Sequence, residues 1–431
     1  MEKYKYLNKK SLTLMVIILI IVSIFTLGIM KVKEVSLQAQ KKNLFSDVVP
    51  KGLGVNIHFT GNPIDIDLIK DAGFKIVRQD ILWENVEKER GVYNFKSSGY
   101  DELNTALIQN DIRPYFILDY SNKLYEKNQS IVTKKGQDAF VKYVKEVTTR
   151  YKGEGVIWEI WNEPNSGFWE PKPNIKEYSS LVKRVSKTIK DNDSTGIVVA
   201  PALSKVNSES LVWLEGIFKE GTLDYIDAVS VHPYRPENPE TVLSDYQKLK
   251  SLISKYKKGD VPILAGEWGY STAEKWKNFN VTEQQQAEYL VRMFLINLLS
   301  DVPVSVWYDW KNDGDDPLNS EHNFGIREQD VNIPKQSYIA INTLTYNLSN
   351  FKLNRRINVG NQNDYILEFT NGKEKKVIVY WTSKEKHNIN LTIKSKKNKI
   401  VTMYGKEVSK INGDNDLNLE ISNEPTYIIS E

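Results

Sequence analysis

The chain has 431 residues, of which 40% are hydrophobic and 26% are charged, so it is long enough for one large domain and a smaller one. The formal net charge is only +3, which gives no indication of a nucleic-acid partner. Because the chain has no cysteine, disulfides, thiol chemistry and cysteine-ligated metals are excluded.

The first predicted element is a membrane anchor within residues 1–30. Residues 1–10 are rich in lysine, and Leu12–Met30 is uncharged and almost wholly apolar. As a helix this stretch would rise about 28 Å, close to the roughly 30 Å of a hydrocarbon core. The lysines predict a cytoplasmic N-terminus and an extracytoplasmic remainder, hence a single-pass protein of the cell membrane. A cleaved signal peptide is the alternative, although only Leu37–Ala39 offers a weak cleavage site.

A polar linker at residues 31–47 leads into residues 48–348, where strand-like and helix-like segments alternate. The predicted strands are Leu53–Phe59, Phe74–Asp80, Arg113–Asp119, Val156–Trp161, Ile197–Pro201, Ile226–His232, Val261–Glu267 and Val302–Tyr308. Several are continuous apolar runs, typical of parallel strands covered on both faces. The alternation predicts an α/β fold of the (β/α)₈ TIM-barrel type. A doubly wound open sheet is disfavoured because no glycine-rich phosphate loop follows the first strand.

Residues 349–431 show short alternating segments, which predict a small C-terminal antiparallel β-sandwich. The predicted strands are Tyr365–Thr370, Lys376–Trp381, Asn388–Ile393, Ile400–Tyr404, Leu417–Ile421 and Thr426–Ile429. Turn signals such as Asn371-Gly372 separate these segments.

Two glutamates at strand ends form the candidate catalytic pair. Glu163 follows the fourth predicted strand, which Pro164 ends because proline cannot donate to a ladder. Glu267 ends the seventh strand, across the barrel mouth where active sites gather. Carboxylates about 5 Å apart have the geometry of a retaining glycosidase, in which one protonates the leaving oxygen and the other attacks the anomeric carbon. A single such glutamate would more often belong to a structural ion pair, but the two strand ends together favour catalysis.

Other polar and aromatic residues converge on the same predicted rim. Arg78 would keep the attacking carboxylate ionised, and the amide of Asn162 would hold a sugar 2-hydroxyl. Trp307 and Trp310 would form a platform for an apolar sugar face, although isolated tryptophans more often belong to the core. The candidate substrate-binding residues are Asn56, His58, Arg78, Asp80, Tyr120, Asn162, His232, Tyr234, Trp268, Trp307 and Trp310.

The acidic loop Asp309–Asp316 is the one segment that suggests a metal. It does not match EF-hand spacing, because Lys311 occupies the second ligand position. No pair of histidines has zinc spacing either. We therefore expect neither a metal nor a cofactor.

Three motifs resemble those of the clan A glycoside hydrolases: Trp161-Asn162-Glu163-Pro164, His232-Pro233-Tyr234 and Gly266-Glu267-Trp268-Gly269. The segment from Arg78 through Asp80, Trp83 and Glu87 is similar to family 39 and its relatives. These relatives include bacterial glycosidases acting on exopolysaccharides, and they often carry a small β-sandwich after the barrel.

The resemblance implies that Glu163 is the acid/base and Glu267 the nucleophile, with retention at the anomeric carbon. It also implies that Asn162, Arg78, His232, Tyr234 and Trp307 line the −1 subsite. With the anchor, it leads us to expect a membrane-tethered, endo-acting hydrolase of a cell-surface polysaccharide, with exopolysaccharide synthesis machinery as a partner. An inactive glycan-binding or export-scaffold protein and a transglycosylase remain as alternatives.

Overall fold

The computed structural model describes residues 45–59, 63–372, 375–393, 397–413 and 415–430, and residues 47–431 form one compact unit. The predicted anchor at Leu12–Met30 lies outside the described residues. Within the described ranges, no helix has the length and apolar character required to span a membrane.

A closed barrel of eight parallel strands forms the larger part of the fold, in the sequential order β1 to β8. The strands are β1 Leu53–Asn56, β2 Ile76–Leu82, β3 Arg113–Asp119, β4 Ile157–Ile160, β5 Ile197–Ser204, β6 Ala228–His232, β7 Ile263–Trp268 and β8 Ser305–Trp307. Closure comes from β1 pairing with β8, where Leu53 is in register with Ser305. The predicted TIM barrel is therefore confirmed.

Helices on the outside of the barrel bury their apolar faces against the strands. They are α1 Pro63–Asp71, α2 Trp83–Val86, α3 Tyr100–Gln109, α4 Lys134–Arg150, α5 Ile175–Asn192, α6 Ser208–Lys219, α7 Val242–Tyr256, α8 Glu283–Leu299 and α9 Gln336–Asn347. α8 begins with a capping box, in which Thr282 and Gln285 satisfy each other's backbone N–H groups. Because the strands are covered on both sides, most of their residues are fully buried.

A β-sandwich follows the barrel, as predicted. Its strands are β9 Lys352–Arg356, β10 Asp364–Thr370, β11 Lys376–Thr382, β12 His387–Ile393, β13 Lys397–Val401, β14 Glu407–Asn412, β15 Asn415–Ile421 and β16 Thr426–Ser430. One sheet has the order β14-β13-β16-β11-β10-β9, and β12 pairs with β15 in the second. The prediction missed β9 and β14, the two edges of the larger sheet. An edge strand needs no continuous apolar pattern, and β9 is exposed or half-buried along its length.

The larger sheet packs on both of its faces. One face, including Ile366 and Ile378, forms a separate apolar cluster with the β12–β15 sheet. The other face, including Leu367 and Trp381, joins the core of the barrel. The sandwich and the barrel therefore share one hydrophobic core.

The sandwich is connected to the barrel by a hydrogen bond to a buried ion pair of the barrel. The Arg292 guanidinium of α8 donates to both oxygens of Glu240, at 2.8 and 2.6 Å. The indole of Trp381 donates to the same carboxylate at 2.7 Å. Glu240 lies in the segment that leads from β6 to α7, so the sandwich supports a segment that begins at the barrel mouth.

We predict that Arg292→Met lowers the free energy of unfolding by about 3–5 kcal/mol, because it leaves the buried Glu240 carboxylate without its cation. Urea denaturation measures this loss. The control is Lys187→Met, which breaks an exposed pair with Asp191 and should cost less than about 1 kcal/mol. Equal losses for the two variants would contradict the role of the Glu240–Arg292 pair.

Candidate active site

Glu163 is aimed by a tight turn at the end of β4. Trp161 and Glu163 both have positive φ angles, of 70° and 46°, in the left-handed region that non-glycine residues rarely adopt. The turn is held in place because Ser166 N donates to the Glu163 carbonyl at 3.0 Å. Asn165 fastens it further through hydrogen bonds with both the N–H and the carbonyl of Ser204. The surrounding structure thus imposes an unusual backbone at the point that presents Glu163.

Glu267 is placed by strand β7 rather than by a turn. The residue before it is Gly266, where an added Cβ would lie 2.4 Å from Ser230 Oγ and 3.0 Å from Tyr115 Oη. Glycine at this position therefore allows β6 and the barrel interior to pack closely beneath the carboxylate. The hydroxyl of Tyr234, just beyond β6, donates to Glu267 Oε1 at 2.9 Å.

Arg78 is the buried centre of the site. Its Nη1 donates to Glu267 Oε2 at 2.6 Å and to Asn56 Oδ1 at 3.0 Å. Its Nε donates to Glu159 Oε2 at 2.8 Å, and its Nη2 donates to Asn162 Oδ1 at 2.9 Å. One guanidinium therefore fixes side chains from β1, β4 and β7 and from the turn after β4.

His232 lies between the two candidate catalytic carboxylates. Its Nδ1 forms a hydrogen bond with Glu163 Oε1 at 2.9 Å and is 3.8 Å from Glu267 Oε1. The ligating atoms of Glu163, His232 and Glu267 all lie within 4.8 Å of one another. The glutamate side chains are 15% and 13% exposed, so both remain accessible from the mouth. An oxygen of Glu163 thus lies within 4.8 Å of an oxygen of Glu267, which fits the roughly 5–5.5 Å of retaining glycosidases rather than the roughly 6.5–9.5 Å of inverting ones.

The electrostatics of the site favour an ionised Glu267. Burial alone would raise the pKa of Glu267, but the charges on His232 and Arg78 and the Tyr234 hydrogen bond lower it below its usual range. Burial likewise opposes a charged His232, but the Glu267 charge and the Glu163 hydrogen bond raise the pKa of this histidine. The site thus stabilises negative charge at Glu267, which a nucleophile requires.

Comparison with known proteins agrees with this geometry. A family model described as Cellulase (glycosyl hydrolase family 5) matches residues 49–314, which is more than half of the chain. The chain belongs to this family, within clan A of the glycoside hydrolases. A search of curated proteins finds no match.

Solved structures of glycoside hydrolases share the fold. A family 39 enzyme from Bacteroides cellulosilyticus WH2 is 24% identical with a TM-score of 0.77, and the alignment covers 89% of this chain and 81% of that one. A family 39 β-xylosidase from Caulobacter crescentus is 16% identical, with a TM-score of 0.67 and coverage of 90% and 97%. A family 30 endoxylanase from Clostridium papyrosolvens C71 is 13% identical, with a TM-score of 0.63 and coverage of 88% and 96%. The expectation of a clan A retaining glycoside hydrolase is confirmed.

In this glycoside hydrolase, His58 lies at the edge of the mouth within an acidic cluster. Its Nδ1 is 3.0 Å from Asp313 Oδ2 and 3.3 Å from Asp309 Oδ2. Burial opposes a charge on the ring, but the Asp313 hydrogen bond and the Asp309 charge raise the pKa of His58 to about 10. The ligating atoms of the three residues lie within 4.8 Å of one another, a donor set that could also hold a divalent cation. The sequence did not suggest this group, because Asp309 and Asp313 are distant from His58 along the chain.

The remaining predicted polar residues, Asp80, Tyr120 and Asn162, lie at or just beyond the ends of β2, β3 and β4. Asn162 Nδ2 donates to the hydroxyl of Tyr120 at 3.1 Å, which joins the end of β3 to the Glu163 turn. Asp80 is half-buried beside the fully buried Asp119. Burial and the nearby Asp80 together raise the pKa of Asp119 well above its usual range.

The predicted platform of Trp307 and Trp310 is wrong in this structure because both indoles are buried, and the candidate substrate-binding residue Trp268 is buried as well. The rings of Trp268 and Trp307 pack edge to face with centroids 5.1 Å apart. The indole of Trp310 donates to Asp65 Oδ1 at 2.6 Å, away from the catalytic pair. These indoles stabilise the barrel around the site, and they offer no exposed face to a sugar.

Two other aromatic residues are accessible instead. Tyr308 is half-buried just past β8, and its ring lies 5.3 Å from that of His58 and 6.3 Å from that of Tyr234. Phe168 is 40% exposed and stacks on Tyr120 at 5.7 Å. Tyr308 ends the eighth predicted strand, but only its neighbours Trp307 and Trp310 were predicted to stack on a sugar.

Glu159 is the functional residue that sequence analysis missed. It is fully buried in β4 and receives hydrogen bonds from Arg78 and, at 2.8 Å, from the Tyr115 hydroxyl. A carboxylate inside an apolar strand must be paired, so its position in the run Val156–Trp161 was an available signal.

We predict that Tyr234→Phe moves the acidic limb of the kcat/KM profile to higher pH by roughly one unit. The Tyr234 hydrogen bond helps to lower the pKa of Glu267, so removing it lets Glu267 become protonated at a higher pH. The control is Tyr246→Phe, which removes a buried hydroxyl that donates to Asn297 outside the site and should leave the profile unchanged. An unchanged acidic limb in Tyr234→Phe would contradict this role of Tyr234.

Proposed function

We propose that this glycoside hydrolase cleaves glycosidic bonds of a cell-surface polysaccharide, with Glu163 as the acid/base and Glu267 as the nucleophile. One observation carries the assignment of roles. Arg78 pairs with Glu267 at 2.6 Å, whereas in the described part of the chain no lysine or arginine pairs with Glu163. The Arg78 charge stabilises the ionised form of Glu267, which the attack requires. Among the described residues, Glu163 has no such partner and can therefore exchange a proton.

The geometry supports a double displacement. Glu163 would donate its proton to the leaving oxygen while a Glu267 oxygen attacks the anomeric carbon and forms a glycosyl-enzyme. Glu163 would then take a proton from water, which attacks the same carbon and releases Glu267. His232 contacts both carboxylates and would hold Glu163 in position through both steps. Asn162, fixed between Arg78 and Tyr120, would bind the sugar 2-hydroxyl.

Endo-action on an extracellular polymer, an exopolysaccharide above all, is the finer part of the proposal. The apolar stretch Leu12–Met30 after a lysine-rich N-terminus favours an enzyme tethered to the outside of the cell membrane. The accessible rings of Tyr308, beside Tyr234, and of Phe168, stacked on Tyr120, would contact sugars beyond the catalytic pair. The endoxylanase from Clostridium papyrosolvens C71 is an endo-acting enzyme with this fold. Transglycosylation would use the same residues, with a sugar hydroxyl in place of water.

We predict that Glu163→Gln lowers hydrolysis of polysaccharide by roughly 10²–10⁴-fold, because the amide cannot transfer the proton. Activity is measured as reducing ends released from a panel of bacterial polysaccharides, together with the viscosity of the solution. For endo-action, the wild-type enzyme should lower the viscosity before many reducing ends appear. Cleavage of an aryl glycoside whose leaving group needs no proton should keep a rapid first turnover in the variant.

Glu170→Gln is the matched control. Glu170 follows the same turn, is exposed, and accepts a hydrogen bond from Gln129 N rather than from any catalytic group. It should retain wild-type activity. Full activity of Glu163→Gln, or equal losses in the two variants, would contradict the role of Glu163.

A further inference from the structure

A cleft of about 670 Å³ lies on the catalytic face of the barrel, outside the site described above. Its lining residues are Arg90, Gly91, Tyr93, Tyr125, Lys134, Lys135, Asp138, Ala139 and Lys142. They come from the loops after β2 and β3 and from the first turns of α4. Loops that follow barrel strands lie on the face that carries the active site. The volume is in the range of ligand sites, roughly 300–1,000 Å³.

The cleft is strongly basic. Its lining includes one arginine and three lysines against a single carboxylate, Asp138. Asp138 already pairs with Arg184 at 2.5 Å and with Lys134 at 3.3 Å. Asp138 is thus engaged by other cations, and within the described ranges neither Lys135 nor Lys142 forms an ion pair.

The lysines at the start of α4 lie at the N-terminal end of a helix, where positive charge is least favourable. Lys134 and Lys135 occupy the first turn, which contains no acidic residue, and the helix dipole makes this end positive. Thr133 caps one of the free N–H groups, and the buried Glu126 carboxylate accepts from the Val132 and Thr133 N–H groups before the helix. The exposed lysines still add positive charge at a positive helix end, an arrangement that a bound anion would stabilise.

Two tyrosines, Tyr93 and Tyr125, form part of the cleft wall. The ring of Tyr125 stacks on Trp83 at 5.1 Å, and its hydroxyl donates to the buried Glu87 at 2.6 Å. Arg90 lies over the same ring, 5.3 Å from its centroid. Tyr125 is therefore rigidly held and supports the guanidinium of Arg90, which leaves the half-buried ring of Tyr93 as the aromatic surface of the cleft.

We infer that the cleft binds an anionic stretch of the polysaccharide, with Lys135 and Lys142 contacting its acidic groups and Tyr93 packing on a sugar ring. The inference extends the proposed function by giving the substrate class, a polymer that carries carboxylate, sulfate or phosphate groups. A concave site walled by tyrosines suits a sugar chain better than the surface of a membrane.

The test measures binding by calorimetry to the full chain carrying Glu163→Gln, so that nothing is hydrolysed. The probes are oligogalacturonate, a sulfated dextran oligomer and a neutral cello-oligosaccharide of matched length. We expect an anionic probe to bind more tightly than the neutral one, with an affinity that falls as salt rises. Lys135→Ala/Lys142→Ala should weaken that binding roughly five- to tenfold and leave the neutral probe unaffected. The preferred anionic probe distinguishes carboxylate from sulfate recognition.

The control is Lys152→Ala/Lys258→Ala, which removes the same charge from exposed positions in the connections that lead into β4 and β7, at the opposite end of the barrel. It should bind like the parent, and all variants should share its melting temperature. Equal affinity in the cleft variant, equal binding of the neutral probe, or binding only to vesicles of anionic lipid would overturn the inference. Because the assay does not depend on hydrolysis, its result is separate from the outcome of the Glu163→Gln activity test.

Discussion

The active site depends on one buried cation at the centre of the barrel. Arg78 is almost fully buried, and a guanidinium there is tolerated only if its donors are paired. Glu159 and Glu267 supply the charges, and Asn56 and Asn162 supply amide oxygens. The need to satisfy Arg78 therefore fixes the positions of the nucleophile and the sugar-binding amide together. Catalytic geometry and the stability of the barrel interior share the same hydrogen bonds.

The rest of the fold supports this centre from outside. The Glu163 turn is fixed by contacts with the end of β5, so the acid/base is presented by rigid backbone. The segment after β6 carries Tyr234 at its start and the Glu240 anchor of the sandwich near its end. The sandwich thus stabilises a segment that contacts the nucleophile. The four side chains that accept hydrogen bonds from Arg78 all belong to the barrel.

Sequence alone could predict the barrel and the position of Glu163 and Glu267, because both glutamates follow apolar runs at recognisable strand ends. It could not show that Trp307 and Trp310 are buried, since side-chain direction near a strand end depends on the path of the following loop. The pairing of Glu159 with Arg78 depends on register between β2 and β4, which are separated by β3. Strands β9 and β14 were missed because edge positions impose little apolar pattern.

Arg78 and its neighbours keep Glu267 ionised, and titration of this one carboxyl group measures that effect directly. Carbon-13 NMR of the protein labelled at the glutamate carboxyl carbons, compared with Glu267→Gln, isolates the Glu267 signal. We expect a midpoint below the ordinary glutamate value of about 4.3. A midpoint at or above that value would show that Arg78 and its neighbours do not stabilise the ionised carboxylate.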